Sequence, residues 1–282
     1  MRRFLAAVVQ LDSKGDKEAN LENACRFIDE AASRGAKLVA LPEAMNLIGE
    51  NLSEGDGQEN IPGYTSTILS SKAKEHGVFL HCGSIRERNP DGGRFHNTTV
   101  MMDDSGRIIA TYRKLHAFDA TLADGTICKE SNNVHPGSDI VSVDTPLGCL
   151  GFSICYDIRF PELFRLLALE GAQIIFAPAN FTLPTGKDHW EALLRARAIE
   201  NGCYIVAPAQ IGRKPKFMAY GNSMIIDPWG TVIARARDEP GIAMGEIDLD
   251  YLSRIRVQLP SLENRREDVY ELSRISRDSG II

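Results

Sequence analysis

The feature that most constrains this chain is an internal echo. Gly35-Ala36-Lys37-Leu38-Val39-Ala40-Leu41-Pro42 returns as Gly171-Ala172-Gln173-Ile174-Ile175-Phe176-Ala177-Pro178, and Glu75-His76-Gly77-Val78-Phe79-Leu80 returns as Glu200-Asn201-Gly202-Cys203-Tyr204-Ile205. A hairpin entered at Asn97, with Asp103 and Gly106 at its turn, is matched by one entered at Asn222 with Asp227 and Gly230. Short apolar runs closed by proline or glycine read as buried strands, here Phe4 to Leu11, Lys37 to Leu41 and Val78 to Ile85. Helical spacing of apolar residues over Ala19 to Ser33, stopped by Gly35, predicts a helix, and Ser66 to Glu75 predicts another. Two halves with one element order predict two similar sheets packed face to face, with the connecting helices outside. No linker separates them, so residues 1–272 read as one α/β domain, followed by a loose tail over 273–282.

With 32 basic and 38 acidic residues the formal charge is -6, so no basic field favours nucleic acid or an anionic membrane surface. The six cysteines are scattered, without a Cys-x-x-Cys pair. That argues against a disulfide scaffold or a zinc site, and fits a reducing, cytoplasmic compartment. The N-terminus runs straight into a strand interrupted by Gln10 and Asp12, and reads as neither signal peptide nor membrane span.

One apolar run, Leu147 to Ser153, ends at Cys155 and passes into a helix start near Pro161. A cysteine at such a turn stands at the rim of a sheet, beside backbone N–H groups able to hold negative charge. Glu43 and Lys114 also follow or end predicted strands. Ligands of α/β sheets collect beyond strand carboxyl ends, so the echo makes convergence of the three plausible. Together they can perform acyl transfer without a metal or cofactor. Cys155 attacks a carboxamide carbon, Lys114 and the Tyr156 N–H hold the oxyanion, and Glu43 passes a proton to the departing ammonia and then activates water.

Leu41-Pro42-Glu43, Tyr112-Arg113-Lys114-Leu115-His116 and Cys155-Tyr156-Asp157-Ile158-Arg159-Phe160-Pro161-Glu162 resemble, in order, the three catalytic motifs of the nitrilase superfamily of carbon–nitrogen hydrolases. The resemblance implies a four-layer α-β-β-α sandwich with an internal pseudo-two-fold, a Glu-Lys-Cys triad, and a homodimer that extends the sandwich. Lys129-Glu130-Ser131 falls where many members carry a second site glutamate, so Glu130 is expected to orient Lys114 or the attacking water.

Tyr156 and Asp157 after the cysteine depart from the true nitrilases, which carry Trp-Glu there. The tracts Asp188 to Glu200 and Tyr220 to Gly230 are most similar to the deaminated-glutathione amidase branch, with the omega-amidases close behind. Both imply a small amide bearing a carboxylate. Arg159 is the expected receiver of that carboxylate, with an ion pair to Glu162 as the alternative. Phe181, Thr182 and Thr185 are expected to line the pocket, while His189 and Trp190 read as packing. The apolar and arginine-rich segment from Asp248 to Leu272 is expected to cover a partner subunit. A binding protein that keeps the fold without catalysis, and an N-acyl transferase, are the readings of another class.

Overall fold

The computed structural model describes residues 2–49, 57–121, 125 and 127–275. The first half runs β1 (Arg3–Gln10), α1 (Lys17–Ser33), β2 (Ala36–Ala40), α2 (Tyr64–His76), β3 (Phe79–His81), β4 (Ile85–Glu87), β5 (His96–Met102) and β6 (Ile108–Arg113). A small hairpin, β7 (Asp119–Thr121) and β8 (Ile127–Lys129), leads into Glu130. The second half runs β9 (Ser142–Thr145), β10 (Gly148–Phe152), α3 (Pro161–Leu169), β11 (Ile174–Phe176), the short turn α4 (Leu183–Thr185), α5 (Glu191–Asn201) and β12 (Tyr204–Ala207). It continues through β13 (Ile211–Arg213), β14 (Met218–Tyr220), β15 (Met224–Ile226), β16 (Val232–Arg235), β17 (Gly241–Asp248) and α6 (Leu249–Gln258).

The echo is a true repeat of topology. In the first sheet the order is β17-β1-β2-β3-β5, with β4 beside β5 beyond the end of β3 and β6 on the other side of β5. The second is β9-β10-β11-β12-β15-β16. Three parallel strands lie at the heart of each, and an antiparallel hairpin closes one side. The turn residues match as well. Asp103 Oδ1 accepts the N–H groups of Ser105 and Arg107, and Asp227 Oδ1 accepts those of Trp229 and Thr231.

Alternation along β1 shows the layers. Phe4, Ala6 and Val8 pack with Phe152 and Phe176 between the sheets, whereas Ala7 and Val9 pack with Leu21, Phe27 and Leu69 of the outer helices. On the far side, Phe164 and Leu167 of α3 and Leu194 of α5 cover the second sheet. The architecture is an α-β-β-α sandwich with the expected repeat.

The expected strand Val78 to Ile85 is divided into β3 and β4. Gly83 turns the chain at φ +63, and a Cβ there would strike the Pro42 carbonyl oxygen. Its neighbour Ser84 donates its N–H to Pro42 O at 3.2 Å and accepts from Ala44 N–H through its hydroxyl at 3.0 Å. The break therefore braces the segment that carries Glu43. At the C-terminus, Leu252 and Ile255 of α6 are buried in this chain's own packing, whereas Val257, Leu259, Val269 and Tyr270 are exposed. Of the expected loose tail, residues 276–282 lie outside the described residues. Arg274 lies 3.7 Å from Asp139 and 3.8 Å from Glu170.

Candidate active site

Cys155 opens a 3₁₀ turn, Cys155–Arg159, between β10 and α3, and has φ +51. Ala44, next to Glu43, has the same φ. A non-glycine residue in this region costs on the order of 1–3 kcal/mol and persists only where its surroundings impose it. At Cys155 the restraint is an N–H donated to Pro178 O at 2.8 Å, together with Asp157, which accepts the Ile154 N–H at 2.8 Å.

Four expected residues come together. Lys114, 2% exposed, donates from Nζ to Glu43 Oε1 at 3.0 Å and to Glu130 Oε1 and Oε2 at 2.9 and 2.7 Å. Glu43, 5% exposed, also accepts from Asn97 Nδ2 at 2.9 Å and, on Oε2, from the Asn180 N–H at 2.9 Å. Glu130 reaches Lys114 because the β7–β8 hairpin folds back; its Oε2 also accepts the Phe118 N–H at 2.6 Å. Cys155 is buried at 8% exposure and lines the same cavity as these three groups.

Electrostatics assign the protons. Burial alone would lower the Lys114 pKa, but Glu130, Glu43 and Cys155 outweigh it and hold the ammonium protonated well above its ordinary range. Burial raises the Cys155 thiol well above its ordinary value, the Glu43 charge adds to this, and Lys114 opposes it. The resting nucleophile is thus a thiol beside a carboxylate able to take its proton, not a standing thiolate.

Several residues went unassigned in the sequence. Asn97 was visible only as a hairpin entry, yet it bridges Glu43 and, at 3.4 Å, Glu130. Asp157 accepts from the Tyr112 hydroxyl at 2.7 Å and from the His116 N–H at 3.0 Å, and its Oδ1 lies 2.7 Å from His116 Nδ1. It thereby ties the nucleophile turn to both sides of Lys114. The sequence signal for it was an acid two residues past the cysteine. Gln210 donates to the Glu43 carbonyl oxygen at 3.0 Å.

The cavity measures about 300 Å³, at the low end for small-ligand sites. Its walls include Arg86, Phe95, Phe118, Lys129, Lys216 and Phe217. Arg159, Tyr156, Phe181, Thr182 and Thr185 are not among its lining. Arg159 sits over the Tyr156 and Phe181 rings, 3.4 Å from His189 Nδ1. Tyr156 packs on Phe118 of the cavity wall, and Phe181 packs against buried Trp190. Thr182 and Thr185 pair through their hydroxyls at 2.8 Å.

Residues 5–257 match the family described as "Carbon-nitrogen hydrolase". The chain is 43% identical over 272 residues to deaminated glutathione amidase of Bos taurus, covering 94% of this chain and 83% of that one. It is 39% identical over 274 residues to omega-amidase NIT2-A of Xenopus laevis, covering 96% and 98%. The crystal structure of the C. elegans NitFhit protein superposes with a TM-score of 0.88 at 38% identity, covering 96% of this chain and 67% of that one. A family match across nearly the whole fold, over a buried glutamate, lysine and cysteine at the ends of the strands, makes this chain a member of the carbon–nitrogen hydrolase family, an enzyme of amide C–N bonds.

Proposed function

We propose that the protein hydrolyses a small carboxylate-bearing carboxamide through a thioester on Cys155, with deaminated glutathione as the substrate. The observation that carries this reading is the clamp on Lys114 by Glu43 and Glu130 at the wall of the Cys155 cavity. Glu43 takes the thiol proton as sulfur attacks the carbonyl carbon. Lys114 and the Tyr156 N–H receive the oxyanion, and Glu43 returns the proton to the leaving nitrogen. Water, deprotonated by Glu43, then cleaves the thioester and frees the acid. Glu130 holds Lys114 in place. Proton transfer of this kind contributes about 10²–10⁴-fold and an oxyanion donor about 10²–10³-fold.

The substrate class follows from relatives named for deaminated glutathione and from wall charge. Lys129 and Lys216 add two cations to a cavity whose two acids are already joined to Lys114, in a chain of net charge -6. We assign them, in place of Arg159, as receivers of the substrate carboxylate. Deaminated glutathione is a secondary amide and releases an amine, whereas a primary ω-amide releases ammonia. The same acyl group is shared by 2-oxoglutaramate, the omega-amidase alternative favoured by the Xenopus relative. Both substrates should therefore be assayed for 2-oxoglutarate. Faster kcat/KM on deaminated glutathione supports the first reading, faster kcat/KM on 2-oxoglutaramate supports the second, and turnover of neither refutes both.

Exposed Val257, Leu259, Val269 and Tyr270 support pairing of two copies through the C-terminal face. A monomer by light scattering at micromolar concentration would count against that pairing. Among the described residues no disulfide joins the cysteines, in keeping with a cytoplasmic setting.

A further inference from the structure

Asn180 carries an oddity that the mechanism above does not use. Its side-chain Oδ1 is buried and has no hydrogen-bond partner among the described residues. Buried polar atoms are nearly always satisfied, and an orphan calls for an explanation. This one belongs to a residue that lines the Cys155 cavity, and whose backbone N–H donates to Glu43 Oε2 at 2.9 Å. The same backbone is also hydrogen-bonded to Cys155, where it favours the thiolate. Asn180 therefore stands between the carboxylate that handles the proton and the sulfur that attacks.

Oδ1 has almost no surface open to solvent, so it pairs with a substrate donor once the side chain turns toward the cavity that Asn180 lines. The one donor common to every primary or secondary carboxamide is the N–H of the scissile bond, and its nitrogen must come to rest near Glu43 to be protonated. We infer that Asn180 Oδ1 accepts the N–H of the scissile amide, holding the leaving nitrogen beside Glu43 and selecting amides over esters of the same acid. An ester offers an oxygen without hydrogen at this position, so it would leave Oδ1 as unpaired in the complex as in the free enzyme. Sites built around a hydrogen bond discriminate against analogues that lack the donor. No bond is made or broken by Asn180; the proton still travels between Cys155, Glu43 and the leaving nitrogen. The inference rests on the amidase chemistry proposed above but not on which amide is physiological.

The test compares wild type with Asn180→Ala on a short ω-amide that wild type cleaves and on the methyl ester of the same acid. Both substrates give the same thioester, so a general loss of active-site order lowers both rates alike. The expected result is a fall of about 10- to 100-fold in the ratio of amide to ester kcat/KM. The thermal midpoint should be unchanged or slightly raised, because an unsatisfied buried acceptor has been removed. Asn180→Ser, which keeps a shorter acceptor, should fall between the two in that ratio. An unchanged ratio in Asn180→Ala, with amide and ester losing equally or not at all, overturns the assignment while leaving the amidase intact. Wild-type protein that cleaves the ester and no amide overturns the assignment and the amidase reading together.

Discussion

The Tyr112 hydroxyl donates to Asp157 Oδ2 across 2.7 Å, and both groups are sealed from solvent. Tyr112 lies two residues before Lys114, near the end of β6, and Asp157 two residues after Cys155. This hydrogen bond, with those of Asp157 to His116, therefore ties the backbone that carries the ammonium to the backbone that carries the nucleophile. Burial, reinforced by the Asp157 charge, pushes the phenol pKa well above its usual range, so Tyr112 serves as a neutral donor. Tyr112→Phe removes that donor while the Asp157 carboxylate keeps its other partners, and should cost about 1–3 kcal/mol of stability. Because the triad is displaced, kcat should fall while KM changes little. Denaturant unfolding and steady-state kinetics check the two effects separately. Unaltered kcat would show that the pair is structural only.

The Glu43 charge and the Cys155 thiol oppose one another, which gives Glu43→Gln two effects of opposite sign. Burial and then Glu43 raise the thiol pKa, so removing the charge lowers it. The midpoint for iodoacetamide alkylation of Cys155 should move to lower pH, while amide turnover falls by about 10²–10⁴-fold with the loss of proton transfer. A midpoint that moves upward contradicts the assigned electrostatics.

If Cys155 carries the acyl group, Cys155→Ala should release no amine or ammonia and retain its unfolding transition. Mass spectrometry of acid-quenched wild-type turnover should find the acyl adduct on the Cys155 peptide and not on peptides of the other five cysteines. An adduct elsewhere, or residual turnover in the alanine variant, contradicts the nucleophile assignment.

His81 predicts the acid limb of stability. It is fully buried between the sheets, its ring 4.4 Å from that of Phe176, with Nε2 3.0 Å from Thr99 Oγ1 and Nδ1 accepting the Gly83 N–H. Burial lowers its pKa to about 3. The unfolded chain binds this proton near pH 6.5 and the folded chain does not, so stability is complete above that pH and falls as pH drops toward 3. The slope from this one group is about 1.4 kcal/mol per pH unit. His81→Gln should flatten unfolding free energy between pH 6 and 4 by about one proton. An equal slope in both proteins would place the acid sensitivity elsewhere.

Much of the fold was legible because its signals are local. Apolar runs ended by proline, and turns whose aspartate binds the N–H groups two and four residues on, recur at matching places in both halves. The same regularity put Glu43, Lys114 and Cys155 at strand ends. Other features depend on partners far along the chain. Gly83 breaks a strand because Pro42 passes against it, and Asn97 belongs to the site because Glu43 and Glu130 meet there. Arg159 stands four residues past the nucleophile in the sequence, but that its guanidinium sits over the Tyr156 and Phe181 rings is decided by packing between distant segments.

The sequence by itself determined the repeat, the layers and the types of residue that carry the chemistry, since periodicity and turn chemistry are written over a few consecutive positions. Only the tertiary structure decided which charges face one another, which proton each group keeps, and which walls close the cavity. Those are set by burial and by distances of about 3 Å between residues dozens of positions apart.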